Sequence, residues 1–228
     1  MKTITSLDEI SDGKLYDIDN FVLADSDGCQ GCNACCHDVG DLVSLTPYDV
    51  YQILLHTGLG FDALIGDKVA LKKEGKLNLP YLNMNSTTGN CAFLSKPRHK
   101  GEGGRCTIHT HRPDICRLFP LGRAYFDDGF KYFLQVDACV KPTLQSVKIE
   151  TWLGISDYAD YKWFLFEWYK LLKALTFRVK FIYDDAELTA LNTYLIDTLF
   201  KITPDSERTF FQQFGDLLQD SKKQMGIL

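Results

Sequence analysis

The hydrophobic pattern separates an irregular first part of the chain from a helical last part. After about Trp152, apolar residues recur three and four positions apart, a spacing that predicts an amphipathic helix. The residues of this stripe are Tyr158, Tyr161, Leu165, Trp168, Leu172, Leu175 and Val179. A second helix is predicted over 185–200. A third is predicted to begin at Thr203-Pro204 and to end near Lys222 and Lys223, because this charge order suits a helix dipole.

The first part of the chain predicts only short elements. Thr46, Pro47 and Asp49 have the pattern of a capped helix start. Strand-like runs at 118–126 and 130–136 flank a turn-forming Asp-Asp-Gly sequence, which predicts a hairpin. Shorter strands are expected around Phe21 and over 79–82.

Composition narrows the class of protein. The chain has 228 residues, of which 45% are hydrophobic and 24% charged, so a folded protein with a core is expected rather than a disordered one. The net charge of −5 provides no global basic field for nucleic acid. The N-terminus lacks the pattern of a signal peptide, and no apolar stretch approaches a membrane span. We therefore expect a cytoplasmic protein that does not bind nucleic acid or membrane.

The cysteines are the most informative residues. Eight are present, and none lies in the helical last part: Cys29, Cys32, Cys35, Cys36, Cys91, Cys106, Cys116 and Cys139. Thiols stay reduced in the cytoplasm, so metal ligands or redox groups are favoured over a disulfide framework. Buried inert thiols are a weaker alternative, because four of these residues fall within one stretch of eight.

The spacing within that stretch resembles the start of a ferredoxin run, since Cys29, Cys32 and Cys35 are each separated by two residues. Cys36 is adjacent to Cys35, and neighbouring side chains usually diverge, so the pair suggests two sites. The local run is incomplete, and we expect the four distant cysteines to complete it. The pattern slightly favours iron–sulfur clusters of the 4Fe-4S type, with zinc as the alternative, because both accept soft sulfur donors.

Three segments together give a specific motif. They are CQGCNACC at 29–36, CAFL at 91–94 and GRCTIHTHRPDICRLFPL at 104–121. With this motif the chain resembles the CxxCxxCC cysteine-cluster family, the bacterial YkgJ-type proteins, described as zinc- or iron-chelating. The resemblance implies that the matching cysteines chelate metal. Some relatives are called iron–sulfur oxidoreductases, and flagellin lysine N-methylases contain a similar cluster. His109 departs from the family, where tyrosine is frequent, and residues 145–228 carry no family motif.

Two arginines in the motif are candidate cofactor-binding residues. Arg112 and Arg117 could donate hydrogen bonds to cluster sulfurs or bind a carboxylate, and bracing the turn at Pro113 is an equally good interpretation. The catalytic residues are not identified, because the chain has no Ser-His-Asp pattern and no nucleotide, flavin or S-adenosylmethionine motif.

These observations predict an α+β protein. Residues 1–145 would form an irregular, metal-organised cysteine-cluster domain with a small antiparallel hairpin, and residues 146–228 a helical C-terminal subdomain. The first functional hypothesis is an iron–sulfur protein for redox or group-transfer chemistry, as an oxidoreductase or group transferase acting on a substrate or a protein partner. The alternatives are a zinc-stabilised protein-interaction module and a protein that handles iron or zinc reversibly.

Overall fold

The first part of the chain forms short β-ribbons and helices. The structure is a computed structural model, and it describes residues 7–25, 32–39, 42–97, 103–141 and 143–227. The strands of the described residues are β1 Phe21–Asp25, β2 Val69–Glu74, β3 Leu77–Leu82, β4 Leu121–Phe126, β5 Gly129–Leu134 and β6 Gln145–Lys148. They form three antiparallel two-stranded ribbons, β1 with β6, β2 with β3 and β4 with β5. The α+β class predicted from the sequence is confirmed.

The helices are concentrated after β6. The α-helices are α1 Pro47–Thr57, α2 Phe61–Leu64, α3 Asp114–Leu118, α4 Ile149–Leu153, α5 Tyr158–Arg178, α6 Asp185–Leu195 and α7 Phe210–Gln224. A π-helical turn, Ile196–Phe200, continues α6. None of the helices in the described ranges combines the length and apolar character needed to cross a membrane.

Helix α1 begins where its sequence predicts. The Asp49 N–H donates to the Thr46 hydroxyl oxygen at 3.1 Å, and the Thr46 N–H donates to the Asp49 carboxylate at 2.8 Å. This capping box satisfies two backbone donors at the helix start. Gly58 ends the helix in the left-handed conformation, with a φ of 68°.

The predicted β4–β5 hairpin is confirmed, with Phe126 paired to Gly129 across the two-residue turn. Its first strand begins at Leu121 rather than at residue 118, because Leu118 ends α3. The β2–β3 hairpin was expected only in its second strand. The β1–β6 ribbon, in which Val22 pairs with Val147, was expected only in its first.

Helix α5 provides the main apolar face of the last part. Its buried residues are Tyr161, Phe164, Leu165, Trp168, Leu171 and Leu175. Phe164 contacts Phe214 of α7 edge-on, with ring centroids 4.8 Å apart. Helix α7 begins after Thr209, not at Thr203 as the sequence predicted, because Thr209 forms a capping box with Gln212.

Polar contacts fix the helical part to the β-ribbons. The buried Asn192 of α6 accepts a hydrogen bond from the Asn78 N–H at 2.6 Å and donates one to the Lys76 carbonyl at 3.0 Å. The Lys76 ammonium in turn donates to the Ile182 carbonyl at 2.7 Å. The C-terminal helices therefore lie directly on the hairpin that follows the first cysteine segment.

Candidate metal centre

Backbone hydrogen bonds bring the first cysteine segment beside the second. Cys35 and Cys36 lie in a single 3₁₀ turn, Ala34–Cys36. The Cys91 N–H donates to the Cys36 carbonyl at 2.8 Å, and His37 forms an isolated antiparallel bridge with Asn90.

The third cysteine segment joins the second through a close backbone approach. Cys106 bridges Leu94, and the Ser95 N–H donates to the Arg105 carbonyl at 2.9 Å. The approach requires glycine at position 104, because a Cβ there would lie 2.0 Å from the Ser95 carbonyl oxygen.

These segments and α3 line one cavity of about 480 Å³ that is partly open to solvent. Six of the seven described cysteines line it: Cys32, Cys35, Cys36, Cys91, Cys106 and Cys116. Apolar residues form much of the remaining wall: Val39, Val43, Leu82, Met84, Phe93, Ile108, Phe119, Val147 and Trp152. Three segments that are distant in sequence, 29–36, 91–94 and 104–121, thus contribute thiols to one largely apolar space.

The two remaining cysteines have different outcomes. Cys29 lies outside the described residues, so its role stays a prediction. Cys139 is half-buried and is not part of the cavity wall formed by the described residues. Its predicted role as a ligand also stays a prediction, and the structure brings six of the eight candidate cysteines together.

Most of the cavity thiols have raised pKa values. Burial raises the pKa of Cys91, Cys106 and Cys116, since a thiolate is poorly solvated there. The Cys36 thiol donates a hydrogen bond to the Cys35 sulfur, which lowers the pKa of Cys35 to about 6 and raises that of Cys36. A bound cation would supply the positive charge that stabilises the deprotonated form of these cysteines.

The six thiols of the cavity are donors that suit a metal with a preference for sulfur ligands. A tetrahedral zinc ion with Zn–S bonds of about 2.3 Å needs its sulfurs roughly 4 Å apart. Among the described residues, no three His, Cys, Asp or Glu side chains already have the arrangement of a single-ion site. Cys thiolates are also the ligands of iron–sulfur clusters, so the six thiols supply donors that either kind of centre uses.

The two candidate arginines occupy different places. Arg112 lines the cavity and donates to the His109 carbonyl at 2.8 Å. The Arg117 guanidinium instead donates to the Leu153 carbonyl at 3.0 Å and the Thr110 carbonyl at 2.8 Å. Arg117 therefore connects α3, which carries Cys116, to the end of α4.

A buried ionic network, not identified from the sequence, fixes the start of α3. Arg123 of β4 donates to the Asp114 carboxylate at 2.7 Å through Nη2 and also through Nη1, and the Tyr161 hydroxyl donates to the same carboxylate. Asp49 accepts the Asp114 N–H at 2.7 Å. Arg123 shares a strand face with Leu121 and Tyr125, and an arginine on such an apolar face was the available signal.

The two carboxylates of this network respond to burial in opposite ways. Burial alone would raise the pKa of Asp114, but the Arg123 guanidinium and the hydrogen bonds from Arg123 and Tyr161 bring that pKa below its usual value. Burial, followed by the nearby Asp114 charge, raises the pKa of Asp49 to about 7, although backbone N–H donors oppose the shift.

The raised pKa of Asp49 predicts a pH-dependent stability. Because the folded state holds the Asp49 proton more tightly, this group loses stabilisation as pH rises from about 4 to about 7. Between about pH 5 and pH 7.5 we expect the free energy of unfolding to fall by roughly 2 kcal/mol more in the wild type than in Asp49→Asn. Urea unfolding of both proteins at the two pH values measures this. Equal pH dependence in the two proteins would show that Asp49 is already ionised at low pH. Asp114 does not interfere, since its lowered pKa places its titration at more acidic pH.

One comparison with known proteins identifies the cysteine-rich part of the chain. A protein-family model described as "CxxCxxCC: Putative zinc- or iron-chelating domain" matches residues 28–139, about half of the chain, and this range contains all eight cysteines. Neither the curated proteins nor the solved structures contain a match to this chain. Its cysteine-rich region, residues 28–139, belongs to the CxxCxxCC family of zinc- or iron-chelating domains.

Proposed function

We propose that this protein holds a 4Fe-4S cluster in the cysteine cavity and uses it for redox or group-transfer chemistry. The observation that carries the proposal is that six thiols from three segments line one space of about 480 Å³. A closed structural zinc site uses only four tightly converging ligands and needs no such volume. Six thiols exceed the four that one cluster requires, so two of them remain for a second role.

The residues around the cavity suit a redox centre. Phe93 and Ile108 are buried, and together with Met84 they exclude water from part of the wall. Solvent exposure, net charge and hydrogen bonds to sulfur set the potential of a bound cluster. Arg112 contributes a positive charge at the same wall, which favours electron uptake by a centre bound there. When bound, the cluster supplies one-electron transfer. The residues of the chain ligate the cluster, shield it from water and adjust its reduction potential.

We propose that the protein acts in a reducing compartment, on a small molecule or on a protein. The seven described cysteines form no disulfides with one another, as ligation requires. The net charge of −5 favours a partner other than nucleic acid. We propose the cytoplasm as the compartment in which the cluster functions.

Anaerobic purification followed by visible absorption tests the proposal. We expect a brown protein with a broad visible band that decreases on reduction by dithionite, because iron–sulfide charge transfer absorbs in this range. The matched comparison is the same preparation after removal of metal by a chelator, which should be colourless. A colourless preparation that holds tightly bound zinc would contradict the proposal and support the zinc-stabilised interaction module.

A further inference from the structure

The cavity wall extends beyond the residues that the family motif covers. Val147 of β6, and Thr151 and Trp152 of α4, line the same space as the six cysteines. They follow residue 139, where the family match ends. The last part of the chain thus contributes to the candidate metal centre itself, and Trp152 is its largest contribution.

The indole N–H of Trp152 is buried and has no hydrogen-bond partner among the described residues. An unpaired buried donor of this kind costs about 1–3 kcal/mol, so native proteins rarely leave one unsatisfied. The Trp152 side chain lines the same cavity as the six cysteine thiols. A sulfur of a bound centre would satisfy it.

Hydrogen bonds hold both ends of helix α4, which carries Trp152. The Ile149 N–H donates to the Asn20 carbonyl at 3.0 Å, and the Glu150 N–H donates to the Ile18 carbonyl at 3.0 Å. At its other end, Arg117 donates to the Leu153 carbonyl at 3.0 Å. Arg117 follows Cys116 directly, and Leu153 follows Trp152. This hydrogen bond therefore connects the helix that carries the Cys116 thiol to the residue next to Trp152.

We infer that the Trp152 indole N–H donates a hydrogen bond to a sulfur of the metal centre, which makes Trp152 a positioning residue rather than a ligand. The inference rests on the proposed function only in requiring a sulfur-ligated centre in the cavity, with zinc or with iron. Hydrogen bonds to sulfur stabilise the more negative, reduced state of a cluster. In an iron–sulfur form, Trp152 therefore raises the reduction potential.

Nuclear magnetic resonance of the indole N–H groups tests the hydrogen bond without iron. The full chain has three tryptophans, and the variants Trp163→Phe and Trp168→Phe assign the Trp152 signal by elimination. The metal-free protein is compared with the protein loaded with Zn²⁺ under anaerobic conditions. We expect the Trp152 proton to move downfield on loading and its exchange with solvent to slow about tenfold, as for one added hydrogen bond. The signal of Trp163, which is 41% exposed, should stay in place. A Trp152 signal unchanged by metal would overturn the inference.

The reduction potential tests the same bond in the iron-loaded protein. Trp152→Phe keeps an aromatic ring and removes the N–H, and Trp163→Phe is the matched control outside the cavity wall. We expect Trp152→Phe alone to weaken one-electron reduction about tenfold, which corresponds to a midpoint lower by 59 mV. Equal potentials in the two variants would contradict the inference. If the protein takes up zinc but no iron, the proposed function fails, and the magnetic resonance result still decides the role of Trp152.

Discussion

Cys116→Ser is expected to lose most of the bound metal. Cys116 lies on α3 and lines the cavity, where a serine oxygen is a poor replacement for a soft thiolate. Loss of a group that merely supports a ligand already lowers metal affinity about 10–100-fold, so loss of a ligand should lower it by at least about tenfold. Soluble yield should fall as well, since metal binding contributes to folding. Metal analysis of the purified variant at equal protein concentration measures the effect.

Cys139→Ser is the matched comparison for that variant. The same substitution is made at a half-buried cysteine that is not part of the cavity wall. A centre held by the six cavity thiols, unlike the eight-cysteine ligand set predicted from the sequence, predicts that Cys139→Ser retains most of the metal. Equal loss in both variants would extend the ligand set to Cys139, as the sequence predicts, and retention of full metal by Cys116→Ser would remove Cys116 from that set.

Arg123→Met is expected to lower the free energy of unfolding by about 3–5 kcal/mol, because it leaves the Asp114 carboxylate buried without its ionic partner. The side chains of this pair are only 5% and 11% exposed, so water cannot take over the role of the guanidinium. Tyr161 would remain as a donor to Asp114, which limits the loss. Urea unfolding of the metal-loaded proteins measures it.

The same hairpin offers a control for the Arg123 variant. Lys131 on β5 pairs with Asp17 at 2.7 Å, but these side chains are 44% and 56% exposed. Lys131→Met should therefore change stability by only about 0–1 kcal/mol. A similar loss in both variants would show that hairpin packing, and not the buried ion pair, determines the effect of Arg123→Met.

Local signals in the sequence predicted much of the fold. The capping pattern at Thr46 and the helical stripe around Trp168 depend on interactions within a few residues, and both elements are found as predicted. The start of α7 was wrong because Thr203 and Thr209 both offer capping side chains, and only the latter has a glutamine three residues later in position to reciprocate.

Long-range pairing limited the rest of the prediction. Strand β6 has no buried residue, so its pairing with β1 leaves no strong hydrophobic alternation in the sequence. Strand β2 also lacks a strong hydrophobic alternation, because only Val69 is buried and the rest of the strand is mostly polar.

The candidate site could likewise be predicted only in part from the sequence. Cysteine spacing identified the metal-binding region, because ligand chemistry restricts the residue types. Trp152 and Arg123 could not be assigned from spacing, since their roles depend on segments that meet only in the folded chain. The division into domains at residue 145 stays a prediction, and contacts such as Asn78 with Asn192 cross that boundary.

The amounts of iron and acid-labile sulfide in the anaerobically purified full chain test the central claim most directly. A 4Fe-4S cluster in the cysteine cavity predicts equal amounts of the two, about four of each per chain, with little zinc. Stoichiometric zinc without sulfide would contradict it.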